Sequence, residues 1–159
     1  MVDKADKSVF LTRQGLEKLE KELYVLETEK RAQVAARIQS AKEEGDISEN
    51  AEYDDAKHEQ AFVEGRIMTL RAMISNAVVI EDSGPSDQVG LGSRVTVLED
   101  GIEEPVVYEI VGSAEADPIN GRISNESPIG RALMGRRARA VVSYQAPDGE
   151  IRLTILGIE

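Results

Sequence analysis

Asp46 and Glu49 stand three residues apart in the stretch Gly45-Asp46-Ile47-Ser48-Glu49-Asn50-Ala51-Glu52-Tyr53. Two chemistries are open to carboxylates at that spacing. As a capping box, Asp46 would accept from the first free N–H groups of a helix while Glu49 reaches back, both charges favouring the positive helix end. As a hard-cation site, the same oxygens suit Mg²⁺, which takes one or two carboxylates and leaves other positions to water and phosphate. Such a pair is an incomplete site that needs further ligands from a partner. The two readings are compatible, since one carboxylate oxygen can cap while the other points outward. From Glu43 to Asp55 there are seven acidic residues and no basic one. Gathering like charges costs stability, so either water screens the cluster or something positive arrives there.

Around this pair, Ser48 and Asn50 are expected to support the turn. Tyr53 falls on an apolar seam and should pack there. Lys57 is the first cation after the acidic cluster, and Arg37 lies nearly opposite on the preceding helix. The two could steer a polyanion, although exposed cations on a helix are ordinarily just solvated. His58, the one histidine, reads as a surface residue. A second candidate is Ser127-Pro128-Ile129-Gly130-Arg131-Ala132-Leu133-Met134-Gly135. It fits a short helix with Ser127 as N-cap, Pro128 at the first position and Gly135 as the stop. Its apolar residues exceed what one short helix needs, which leaves room for a partner-binding patch beside the core-packing role.

The elements that must position the acidic pair are two long helical patterns. Thr12 reads as an N-cap, and Leu16, Leu19, Leu23 and Leu26 follow as a heptad seam. The seam resumes at Val34, Ile38 and Ala41, but the step from Leu26 to Val34 breaks register and predicts a stutter. Gly45 stops this pattern near Glu44; a helix from Thr12 would be roughly 50 Å long. The second pattern starts near Glu49 and runs through Tyr53, Ala56, Gln60, Val63, Ile67, Leu70, Ile74 and Ala77, ending before Ser83. So short a connection requires antiparallel helices. Ala41, Ala51 and Ala56 replace leucines toward the turn, predicting a slender, projecting tip.

Beyond a polar linker the period changes to roughly two. Ser93–Leu98, Val106–Val111, Ala140–Tyr144 and Ile151–Leu156 read as strands, with Asp100-Gly101 and Asp148-Gly149 as turn signals. The fold class is α+β: a helical hairpin over 1–82 with its acidic tip near 45–50, a linker at 83–88, and a small domain over 89–159.

Composition narrows the function. The 159 residues carry a net charge of -11, and every lysine lies in the first half. An acidic chain with 4% aromatics is a poor autonomous nucleic-acid binder, because phosphate contacts need clustered Lys and Arg. Any link to nucleic acid should run through a partner protein. The lack of cysteine excludes disulfides, Cys/His zinc sites and thiol catalysis. No signal-peptide pattern opens the chain, and no apolar run approaches the ~20 residues a membrane span needs. A cytoplasmic protein without a membrane partner is expected.

The tip stretch, followed by Ala56-Lys57, closely resembles the signature of bacterial transcript cleavage factors of the Gre type, the GreA branch more than the more basic GreB. Ser127–Gly135 looks like that family's C-terminal signature, and Ser75-Asn76-Ala77 resembles the usual end of its second helix. The likeness spans essentially the whole chain. It implies a coiled-coil finger joined to an FKBP-like α+β domain that docks on RNA polymerase at its secondary channel. By the same likeness, Asp46 and Glu49 would help the polymerase hold a shared Mg²⁺ and a water against the 3′ end of backtracked nascent RNA. Two-metal chemistry is what makes such a donation useful. The resemblance further implies a monomer acting inside a DNA-bound complex, not an enzyme by itself. Ser127, Pro128, Ile129, Gly130 and Leu133 become the docking candidates. An FKBP-like fold carries no implication of proline isomerisation.

Overall fold

The computed structural model describes residues 8–45, 50–81 and 86–159. It divides into two compact units: one spans Leu16–Asn76, the other joins the described residues up to Gly15 to those from Ala77 onward. The division therefore falls elsewhere than at residue 82, because two three-residue strands, β1 (Val9–Leu11) and β2 (Ala77–Val79), pair in parallel. Among the described residues no helix is long and apolar enough to cross a membrane.

Helix α1 (Arg13–Val25) begins as expected after Thr12, whose hydroxyl accepts from Gly15 N–H at 3.0 Å. A π-helical turn, Leu26–Lys30, leads into α2 (Arg31–Glu44). This is the physical form of the predicted stutter. The seam step from Leu26 to Val34 is one residue longer than a heptad, and a π-turn absorbs one extra residue while keeping apolar side chains on one face. Thr28 Oγ1 donates to Tyr24 O at 2.7 Å across the same turn.

Helix α3 (Ala51–Ser75) returns along α2. It starts two residues later than the expected Glu49 and ends at Ser75, so Ala77 belongs to β2 and not to the helical seam. Val34, Ile38, Ala56, Val63 and Ile67 are buried between the helices, with Leu23, Leu26 and Tyr53 packed against them. Flanking ion pairs form a ladder: Arg37 to Glu52, Lys30 to Glu59, Arg31 to Glu64, Glu27 to Arg71 and Glu22 to Arg66. From Arg37–Glu52 nearest the tip to Glu27–Arg71 and Glu22–Arg66 farthest from it, lower numbers on the first arm meet higher numbers on α3, as antiparallel helices require. Near the tip the cations sit on α2. Farther back the polarity reverses, and a slipped pairing would bring like charges together.

The other unit is a five-stranded sheet in the order β5-β4-β3-β7-β6, with β3 (Arg94–Glu99), β4 (Val106–Val111), β5 (Arg122–Ser124), β6 (Val141–Ala146) and β7 (Gly149–Ile158). β5 runs parallel to β4; the other pairings are antiparallel. Alternation in β3 puts Val95 and Val97 on the inner face with Ile110, Ile123, Val142, Leu153 and Ile155. Helix α4 (Pro128–Leu133) covers that face through Leu133, which is fully buried. All four predicted strands are present. The β6–β7 turn is centred on Pro147-Asp148, between paired Ala146 and Gly149, one residue before the Asp148-Gly149 signal. The α+β class is as expected.

Candidate functional site

Asp46, Ser48 and Glu49 lie outside the described residues. What the structure defines is the frame on either side of them. α2 ends at Glu44, and Gly45 follows in an extended conformation (φ 170°, ψ -166°), so it stops the helix without a left-handed cap. On the far side Asn50 is the N-cap of α3, its Oδ1 accepting from Tyr53 N–H at 3.1 Å. Asp46 is therefore not the cap of α3, and the capping-box reading of Asp46 and Glu49 gives way. Asn50 also donates from Nδ2 to Ala41 O at 2.7 Å. One amide thus satisfies an orphan carbonyl of the first helix and an orphan N–H of the second, tying together the two helix ends that flank the acidic segment.

Behind this tie the arm is narrow. Ala41 is 1% and Ala56 0% exposed, as the alanine spacing predicted, whereas Ala51, expected with them, is exposed at the first residue of α3; Tyr53 packs half-buried on the seam. Arg37, expected to meet a polyanion, is held inside the arm. Its Nε and Nη2 donate to Glu52 at 3.1 and 2.6 Å, Nη2 also to Asp55 at 3.1 Å, and Nη1 to Glu59. Hydrogen bonds donated to Glu52 first, then to Asp55, raise the guanidinium above its already high range. Lys30 first, with Arg37, holds the Glu59 carboxyl below the ordinary carboxylate value. Meeting a polyanion would require Arg37 to leave these partners. Lys57 is exposed, and among the described residues it reaches along its own helix, Nζ to Gln60 Oε1 at 2.8 Å. Among the described residues no group of three or more His, Asp or Glu could hold a metal ion.

The second predicted motif proves mainly architectural. Ser127 Oγ accepts from Gly130 N–H at 3.0 Å, so the cap is as read. Leu133 is core, and Gly130 is buried so closely that a Cβ there would stand 1.9 Å from Ser124 O. Neither side of that pair presents a docking surface. Pro128 is exposed; Ser127 and Ile129 are half-buried.

Sequence reading missed a buried carboxylate. Glu115, at the end of the short 3₁₀ turn Ser113–Glu115, has a side chain only 6% exposed. It accepts from Thr12 N–H at 2.5 Å, Thr12 Oγ1 at 2.7 Å and Arg122 Nη2 at 2.8 Å. Thr12 and Glu115 are 103 positions apart, and no local signal joins them. The partners of Arg37 could have been found: Glu52, Asp55 and Glu59 are spaced to share one helix face, opposite the register of Arg37 in an antiparallel hairpin.

Comparison with known proteins covers nearly the whole chain. Residues 9–79 match the family model "Transcription elongation factor, N-terminal", and residues 84–159 match "Transcription elongation factor, GreA/GreB, C-term". Transcription elongation factor GreA of Thermoanaerobacter pseudethanolicus is 56% identical over 153 residues, 96% of this chain and 98% of that one. The GreA of Bacillus subtilis is 54% identical over 157 residues, 97% and 99% of the two chains. Among solved structures, GreA factor homolog 1 of Thermus thermophilus is 30% identical, covering 96% of this chain and 99% of the other, with a TM-score of 0.44.

Proposed function

The chain belongs to the GreA/GreB family of transcription elongation factors, and we propose that it lends Asp46 and Glu49 to the active centre of RNA polymerase. The sheet unit docks at the rim of the secondary channel, and the hairpin enters with its tip toward the 3′ end of backtracked nascent RNA. The observation that supports this reading is the tip frame: two helix ends tied by Asn50 over an alanine-lined seam, with the acidic segment between them. Such an arm is thin enough to enter a channel and rigid up to the residues that matter.

Donor chemistry fits the task. Two carboxylates supply oxygen ligands of the kind Mg²⁺ prefers, and too few of them for a closed site, which suits an ion shared with the polymerase. When bound, such an ion would supply one half of a two-metal arrangement, in which one ion activates the attacking water and the other stabilises the leaving oxygen. Asp46 and Glu49 orient what they hold, and Ser48 and Tyr53 support the tip. The exposed Lys57 is the cation best placed to meet RNA phosphate. The exposed Pro128 and the half-buried Ser127 and Ile129 form the margin of the docking surface, with Gly130 and Leu133 shaping it from beneath. The protein acts as a cytoplasmic monomer in a DNA-bound complex and stimulates cleavage by the polymerase, having no complete active site of its own.

The test is a stalled elongation complex with end-labelled RNA and Mg²⁺, challenged with wild type or Asp46→Ala/Glu49→Ala. Shortening of the transcript by wild type alone, with the double variant still bound, is the expected result. Wild-type binding without cleavage would replace this reading with inhibition. Failure to bind polymerase would overturn it.

A further inference from the structure

The first three turns of α3 carry Glu52, Asp55 and Glu59 at steps of three and four, which line them up along one face. Like charges so placed oppose helix formation. Glu52 gains from the positive helix end, an effect that fades beyond the first turn and leaves Asp55 and Glu59 without it. The apolar contact holding these turns down is also thin. Ala41 and Ala56 bury little surface, and Tyr53 is only half-buried. Something else must seat this end of α3.

We infer that Arg37 is a positioning residue of the arm: by gathering Glu52, Asp55 and Glu59 it seats the first three turns of α3 on α2, and with Asn50 it fixes where the chain re-enters the second helix. Arginine is the side chain for this work. Its planar fork offers five N–H donors in fixed directions, so Nε and Nη2 serve Glu52, Nη2 reaches Asp55 and Nη1 takes Glu59. A lysine ammonium, a single point of charge, cannot sit between three carboxylates in this way. Lys30 continues the same network through the other oxygen of Glu59, at 2.7 Å. The consequence for cleavage rests on the function proposed above; the structural role does not. A loose α3 start would leave the arm able to bind while the segment before Asn50 loses its fixed origin.

Hydrogen exchange on the full-length free protein tests the structural role without polymerase. Arg37→Leu, which keeps an aliphatic stem, is expected to speed amide exchange over residues 54–60 by about tenfold, leaving the sheet unit unchanged. Arg37→Lys should fall between. Repeating Arg37→Leu in a Glu52→Gln/Asp55→Asn/Glu59→Gln background should reduce the effect to within about twofold, because the repulsion it exposes is gone. Unchanged exchange in Arg37→Leu, or an undiminished effect in the neutral background, overturns the inference. In the cleavage assay, Arg37→Leu should lower the rate at saturating factor and leave the half-saturating concentration within about twofold, as expected of a residue that positions the tip without contributing to docking. A raised half-saturating concentration with normal saturating rate would instead make Arg37 a contact for polyanion or polymerase. If wild type fails to cleave, the proposed function falls, while the exchange result still decides the role of Arg37.

Discussion

Replacing Glu115 should unfasten the start of α1, and the size of the effect follows from its partners. Glu115 accepts three hydrogen bonds, and Thr12 Oγ1, one of its donors, in turn accepts from Gly15 N–H. The carboxylate therefore orients the cap as well as binding it. Arg122 has a second carboxylate, Glu109, at 3.9 Å, so removing Glu115 does not leave it wholly unmatched. Glu115→Ala is accordingly expected to cost about 3 kcal/mol, the lower end for breaking a buried pair. Glu115→Gln keeps the shape and part of the bonding, and should cost about 1–2 kcal/mol. Burial pushes the Glu115 carboxyl up, but the Thr12 hydroxyl, the Thr12 N–H and Arg122 together pull it below the ordinary carboxylate value. Its contribution is thus fully present above the unfolded carboxyl value, about 4.3, and is lost as pH falls through the lower folded value. The gap between wild type and Glu115→Gln should be constant above about pH 5 and close progressively as pH falls below the unfolded carboxyl value. Exchange of the Thr12 amide, together with circular dichroism melts across pH, measures it; the chain has no tryptophan to report by fluorescence. Parallel pH curves for the two proteins would refute the reasoning. The sign at Gly15 is an independent check. Helix propensity alone makes Gly→Ala stabilising by about 1 kcal/mol. A Cβ at Gly15 would lie 2.2 Å from Glu115 Oε1, so Gly15→Ala should destabilise instead.

Three further outcomes are expected. Gly65, inside α3 with nothing within 4 Å of an added Cβ, is the contrasting case: Gly65→Ala should raise stability by about 0.5–1 kcal/mol in urea unfolding. Ala56→Leu forces bulk into the fully buried seam, and thermal melts should show a loss of about 1–3 kcal/mol. Asn50→Asp preserves an equally good cap acceptor but removes the donor to Ala41 O. A loss of at least about 1 kcal/mol is expected, from the missing cross-helix bond together with repulsion between the new carboxylate and its acidic neighbours, and no loss would mean that Ala41 O is satisfied by other means.

Much of this protein was legible as sequence because helices, caps and alternating strands are local. Thr12 and Ser127 announce caps through residues within one turn, and both caps form. The one-residue surplus between Leu26 and Val34 is visible in the spacing, and the chain absorbs it as a π-turn at that point. Among the four long strands, β3 shows period-two burial, whereas β4 is marked by its run of β-branched residues and buries both Ile110 and Val111. Type and spacing mark Asp46 and Glu49 as either a helix cap or a cation site, and the donor reading comes from the resemblance carried by the residues around them.

Tertiary structure decided what depends on residues far apart. The parallel pairing of Val9–Leu11 with Ala77–Val79 involves strands too short to declare a period. Choice of Asn50 over Asp46 as the cap follows from a carbonyl on the other helix. Arg37 could be read as a free cation until three carboxylates across the hairpin claimed it. Leu133 and Gly130 became supports beneath a surface once α4 lay on the sheet. Glu115 meets Thr12 across 103 residues of sequence. A charge or an amide has several lawful partners along a chain, and only packing, by excluding water and fixing distance, selects among them.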